Sequence, residues 1–101
     1  MTDVKIACSG KRWSVTAKGH ADDIEACNYI TGVLYSLAGF ATNEAERGKA
    51  KLLRADISPG DVTIEATGGS RMDAAFEMAC IGLLQLQQSR PEAISVSADM
   101  E

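Results

Sequence analysis

DVKIACSGKRWSVTAKGHADDIEACNYITGVLYSLAGFA, residues 3–41, contains a change of hydrophobic period that decides the fold. Val4, Ile6 and Cys8 alternate with polar residues or alanine, residues 9–12 read as a turn, and Trp13, Val15 and Ala17 resume the alternation. A period of two belongs to a half-buried strand, so residues 3–19 read as a β-hairpin. Beyond Gly19-His20 the period lengthens. Ala26, Ile30, Val33, Leu34, Leu37 and Ala41 recur at spacings of three and four, the stripe of an amphipathic helix. Asp22 or Asp23 supplies its N-cap, Glu25 stands in capping-box spacing from Asp22, and Gly48 supplies the stop. Gly32 and Gly39 lie inside this helix, where each costs about 1 kcal/mol against alanine. That cost predicts a close approach by another backbone, through packing on the sheet or on a second helix.

The remainder of the chain repeats the pattern without repeating the residues. Residues 52–57 and 62–66 form runs on either side of Ser58-Pro59-Gly60-Asp61, whose Pro-Gly pair marks a second hairpin. A second helix follows over 70–89, with Ser70 as N-cap, Asp73 at the third helical position, and a broad stripe of Met72, Ala75, Phe76, Ala79, Cys80, Leu83, Leu84 and Leu86. That breadth predicts a largely buried helix. Arg90-Pro91 ends it, and Ile94, Val96 and Ala98 alternate as a last strand. The order ββαββαβ predicts a single α+β domain over residues 1–101: two helices with a mostly antiparallel sheet, in a two-layer or sandwich arrangement. The direction of the last strand is open at this stage.

Composition removes several classes of function. The chain has 101 residues and a net charge of −4, with +2 on residues 1–55 and −6 on residues 56–101. With no basic cluster and 5% aromatics, it offers little to a phosphate backbone or to stacked bases, so nucleic acid is not an expected partner. No apolar run approaches the ~20 residues of a membrane span. The opening residues lack the basic and apolar segments of a secretory leader, which points to the cytoplasm. Three cysteines, at spacings of 19 and 53, and one histidine make neither a disulfide framework nor a zinc site.

His20 is the chain's one histidine, so cysteine–histidine chemistry within the chain must use it. Its position where a strand ends suits a side chain emerging into a cleft, and an imidazole takes and returns a proton near neutrality. Cys27 falls near the start of the first helix, where partial positive charge favours a thiolate, and it shares a helical face with Ile24 and Thr31. Each residue also has a plainer reading: an exposed turn histidine, and a small buried hydrophobe. Cys8 and Cys80 lie on apolar stripes and read as inert core.

Gly19-His20-Ala21, then Asp23-Ile24, then Cys27 opening a helix, resembles the signature of the ribosomal-processing cysteine protease family Prp: Gly-His-Ala, a glycine-containing loop, and Asp-Ile-x-Cys. Glu77 through Arg90, with Gly82-Leu83 inside, followed by Pro91-Glu92-Ala93-Ile94-Ser95-Val96, is similar to the family's closing helix and final strand. The likeness spans nearly the whole chain, and the Gly-His-Ala and cysteine portions are its specific parts. It implies a catalytic dyad of His20 and Cys27, with Thr31 one helical turn later in the active site and Asp23 as the aspartate of Asp-Ile. It further implies a homodimer without metal or other cofactor. The implied substrate is a peptide or protein, and the implied reaction removes a short N-terminal extension from a large-subunit ribosomal protein, or a similar sequence from a phage structural protein. Two departures stand out. Ala21 and Asp22 nearly close the loop that is longer and glycine-bearing in the family, and Ile24-Glu25-Ala26-Cys27 adds one residue before the cysteine, setting it deeper in the helix. The competing expectation is a non-catalytic peptide-binding or dimerisation module on the same scaffold. A thiol redox protein is disfavoured because no Cys-x-x-Cys pair exists.

Overall fold

A computed structural model describes residues 1–100, with no description of the Met100 side chain. The first hairpin is β1 (Thr2–Ser9) and β2 (Arg12–Lys18), followed by α1 (Ile24–Glu46). The second is β3 (Ala50–Ser58) and β4 (Asp61–Gly68), followed by α2 (Ser70–Ser89) and β5 (Ile94–Met100). The expected ββαββαβ order is therefore observed. The strands form one sheet in the order β3-β4-β2-β1-β5. Every neighbouring pair is antiparallel except β1 and β5, which run parallel. Each helix is a crossover between parallel strands: α1 carries the chain from β2 past β4 to β3, and α2 from β4 past β2 and β1 to β5.

Alternation along the strands sends Val4, Ile6, Trp13, Val15, Ala17, Ile64 and Ala66 into one buried cluster with the inner stripes of both helices. Asp3 and Lys5, one position out of phase, are exposed, so the molecule has two layers and an open sheet face. Trp13 and Phe76 stack with ring centroids 5.3 Å apart, and the Trp13 indole N–H donates to Asp73 Oδ1 at 2.8 Å, which fixes the start of α2 on β2.

Several local expectations need correction. α2 is capped by Gly69, and Ser70 is its first helical residue with no side-chain cap bond. This helix buries only Met72, Phe76, Ala79, Cys80, Leu83 and Leu86; Leu84, Met78 and Ile81 are exposed, because a helix lying on one sheet hides one stripe. Gly32 and Gly39 face open space, and a Cβ at either would meet nothing within 4 Å, so no backbone packs against them. Cys8 is half-buried, and its thiol donates to the Gly10 carbonyl at 3.5 Å. Gly48 does terminate α1: its amide donates to Ala45 and that of Lys49 to Glu44, the paired bonds of a Schellman stop.

Glu44 escaped the sequence reading. It is 1% exposed, yet Arg71 at the start of α2 donates to its carboxylate at 2.7 Å while lying over the Phe40 ring. The Arg71 hydrogen bond holds the Glu44 carboxyl below the usual carboxylate range, against burial, which pushes it up; the charges of Arg71, Arg47 and Lys49 add to the lowering. A depressed folded pKa contributes stability above the unfolded value of about 4.3 and loses it as pH falls through the folded value. Glu44→Gln is therefore expected to melt below wild type at neutral pH, with the gap closing under acid conditions; melting curves from about pH 7 to about pH 3 check this.

Candidate active site

Both hairpins and both helices contribute to one end of the sheet, where β2 ends, β3 turns into β4, α1 begins and α2 stops. Gly19 leaves β2 with φ +95°, and a Cβ there would lie 2.6 Å from the Met1 carbonyl oxygen. Left-handed backbone and close approach together require glycine. Its amide donates to Gly60 at 2.9 Å and its carbonyl accepts from the Thr2 hydroxyl at 3.4 Å. This tie extends the β2–β4 ladder one residue beyond Lys18 and Asp61.

His20 is consequently set down on the β3–β4 turn. Its exposed imidazole lies against Gly60, where a Cβ would collide with Nε2 and sit 2.9 Å from Cε1. Gly60 also has φ +72°, so the Pro59-Gly60 pair serves two purposes, closing the hairpin and leaving room for the ring. The His20 carbonyl accepts from the Met1 nitrogen at 2.9 Å.

Asp23, and not Asp22, caps α1. Its Oδ1 accepts from the amides of Glu25 at 2.9 Å and Ala26 at 3.4 Å, and its carbonyl accepts from Cys27 at 3.0 Å. The capping box between Asp22 and Glu25 is therefore not formed. Cys27 becomes the fourth residue of the helix, and Thr31 follows one turn later. Helix-start amides are natural oxyanion donors, but those of residues 25, 26 and 27 are all engaged by Asp23.

A cavity of about 310 Å³ opens here, and His20, Cys27 and Thr31 all line it. Tyr35 and Leu34 continue its helical wall, while the β3–β4 turn forms the facing one. The structure thus brings together three of the four candidate residues; Asp23 lies outside the lining and acts on it through the cap. The half-buried Cys27 thiol donates to the Ala21 carbonyl at 3.1 Å, and among the described residues no hydrogen bond joins it to His20. Burial pushes the Cys80 thiol up, consistent with an inert core residue.

Sequence reasoning missed two parts of this site. The Pro-Gly turn was recognisable, but its position under His20 depends on strand order. Arg90 read only as a helix end, yet its guanidinium pairs with the Asp23 carboxylate and reaches Glu25 Oε2 at 3.5 Å.

No protein-family model matches this sequence, and no curated protein matches it either. Solved structures do share its fold. The ribosomal processing protease Prp from S. aureus, in complex with a covalently linked product peptide, superimposes with a TM-score of 0.74 at 19% identity, covering 98% of this chain and 100% of that one. The same protease in complex with a substrate peptide gives 0.74 at 13% identity over the same spans. SMU.848 from Streptococcus mutans gives 0.76 at 16% identity, covering 100% of this chain and 99% of that one. The chain has a Prp-like α+β fold over 98% of its length.

Contact between His20 and Gly60 can be measured as a coupling. Gly10, with φ +62° and nothing within 4 Å of an added methyl, isolates the conformational cost of alanine at a left-handed position. Gly10→Ala should cost about 1 kcal/mol in urea unfolding, and Gly60→Ala more. Adding His20→Ala should recover roughly 1 kcal/mol of the Gly60→Ala loss. Strict additivity of the two changes would mean that the ring does not rest on the turn.

Proposed function

We propose that the chain is a cysteine endopeptidase in which Cys27 is the nucleophile and His20 the general base and acid. The observation that supports this most directly is that the chain's one histidine and a helix cysteine line the same cavity, with Thr31 beside them. The fold shared with a peptide-bound protease supports a peptide as the substrate class.

The cycle begins with the thiol bonded to Ala21. A thiolate beside that carbonyl oxygen would be repelled, so activation requires the sulfur to turn away from Ala21, giving up about 1 kcal/mol of hydrogen bond. His20 takes the proton, and the sulfur attacks the peptide carbonyl to form a tetrahedral adduct. The imidazolium returns the proton to the leaving amine as the C–N bond breaks. Water, deprotonated by His20, then releases the acyl group and restores the thiol. With the first-turn amides engaged, side-chain donors on the cavity wall hold the oxyanion, foremost the Thr31 hydroxyl. Asp23 orders the helix that carries the nucleophile.

The finer reading is a cytoplasmic homodimer that trims the N-terminal extension of a large-subunit ribosomal protein or a comparable phage structural protein. The Ala21 hydrogen bond favours a second reading, a peptide-binding or dimerisation module whose thiol stays protonated. Limiting iodoacetamide at about pH 6 separates the two. The protease reading expects selective labelling of Cys27 over Cys8 and Cys80, lost in His20→Ala. It also expects cleavage of peptides spanning such an extension, reduced at least about 100-fold in Cys27→Ala and in His20→Ala. Uniformly slow labelling with peptide binding but no cleavage would leave the binding module.

A further inference from the structure

We propose that Arg90 is a positioning residue for the Cys27 thiol, acting through Asp23 to keep the start of α1 hospitable to a thiolate. The inference rests on the reading of Cys27 as a reactive thiol and adds a group from the far end of the chain.

The four residues 22–25 carry three carboxylates, Asp22, Asp23 and Glu25, directly before the cysteine. Negative charge close to a thiol disfavours its ionisation. The helix start contributes only about half a positive charge, and the Asp23 carboxylate sits on it as the cap. A capped but otherwise unpaired terminus is therefore net negative, the wrong sign for a thiolate. Arg90 offsets the charge of the cap. Asp23 gives Oδ1 to the helix amides and Oδ2 to the guanidinium, so one carboxylate caps and is neutralised at once. The second guanidinium nitrogen reaches Glu25 at 3.5 Å.

Exposure indicates which partner matters. The Asp23 side chain is 29% exposed and Arg90 38%, whereas Glu25 is 81% exposed and screened by water. Arg90 is also fixed in place, since it caps α2 with its amide donating to Leu86 at 2.7 Å, and Pro91 follows. The end of α2 thus tethers the start of α1. Of the titratable groups lining the Cys27 cavity, His20 lies in the connecting loop, with the Met1 ammonium on its carbonyl, and Tyr35 lies on α1. The β3–β4 hairpin adds Asp61, which is already paired with Lys18 across the strands. Among the described residues Arg90 is the one cation paired with the acidic segment.

The test is the pH profile of Cys27 alkylation by iodoacetamide, read by peptide mapping, in wild type, Arg90→Gln, Arg90→Lys, Asp23→Asn and the Asp23→Asn/Arg90→Gln double variant. Asparagine still caps a helix, so Asp23→Asn removes charge while keeping the cap. Arg90→Gln is expected to slow Cys27 labelling roughly tenfold at about pH 6. Arg90→Lys should restore most of the rate, and in the Asp23→Asn background Arg90→Gln should have much less effect. Continued protection of Cys80 shows that each variant is folded. A Cys27 profile that depends on His20 but is unmoved by Arg90→Gln would overturn this proposal alone, as would an Arg90→Gln effect of undiminished size in the Asp23→Asn background. A profile indifferent to His20 would overturn the reactive thiol itself.

Discussion

Everything at the candidate site depends on one backbone hydrogen bond, the Gly19 amide to the Gly60 carbonyl. It extends the β2–β4 ladder past the last paired residues and so fixes where the chain leaves the sheet. From that point only residues 20–23 separate the sheet from α1, too few to wander. His20 must land on the β3–β4 turn, and Cys27 must face the cavity between that turn and the helix. Both glycines in this bond have left-handed backbone, and each would bring a Cβ into contact with a neighbour. The site is thus specified by backbone sterics before any side-chain chemistry enters.

The thiol sits among three competing influences. The Ala21 carbonyl accepts from it at 3.1 Å, the acidic residues 22, 23 and 25 precede it, and His20 lines the same cavity. A sulfur deeper in the helix feels the terminus less, since that field fades beyond the first turn. The short connection brings the imidazole down on the turn, and Cys27 lines the same cavity as the fourth residue of α1.

Much of this architecture was legible from periodicity. The alternation of Val4, Ile6, Trp13, Val15 and Ala17 identified the first hairpin, the Pro59-Gly60 pair identified the second, and the three-and-four spacing identified both helices. Residues 20, 27 and 31 were legible as a set through a family likeness and a shared helix face. What failed to show was whatever depends on elements distant in sequence. Strand order decides that Gly60 lies under His20, and no local pattern encodes it. Glu44 reads as a solvated residue on a helix end, and only its partner Arg71 on α2 explains its burial. Gly32 and Gly39 suggested close packing because the propensity cost demanded a reason; on an exposed face the structure supplies no steric one. Ser70 looked like a cap by residue type, but the sheet hands the chain to α2 one residue earlier.

Ion pairs join α2 to both ends of α1. α1 and α2 run antiparallel, so the start of each lies beside the end of the other. At one end Arg71, from the start of α2, holds the buried Glu44 of α1; at the other Arg90, from the end of α2, holds Asp23 at the start of α1. The first pair is structural: a buried carboxylate without its cation would carry the full desolvation penalty. The second is half-exposed, contributes less to stability, and ties the N-cap of α1 to the end of α2. The two carboxylates, one at each end of α1, are thus both held by guanidinium groups of α2.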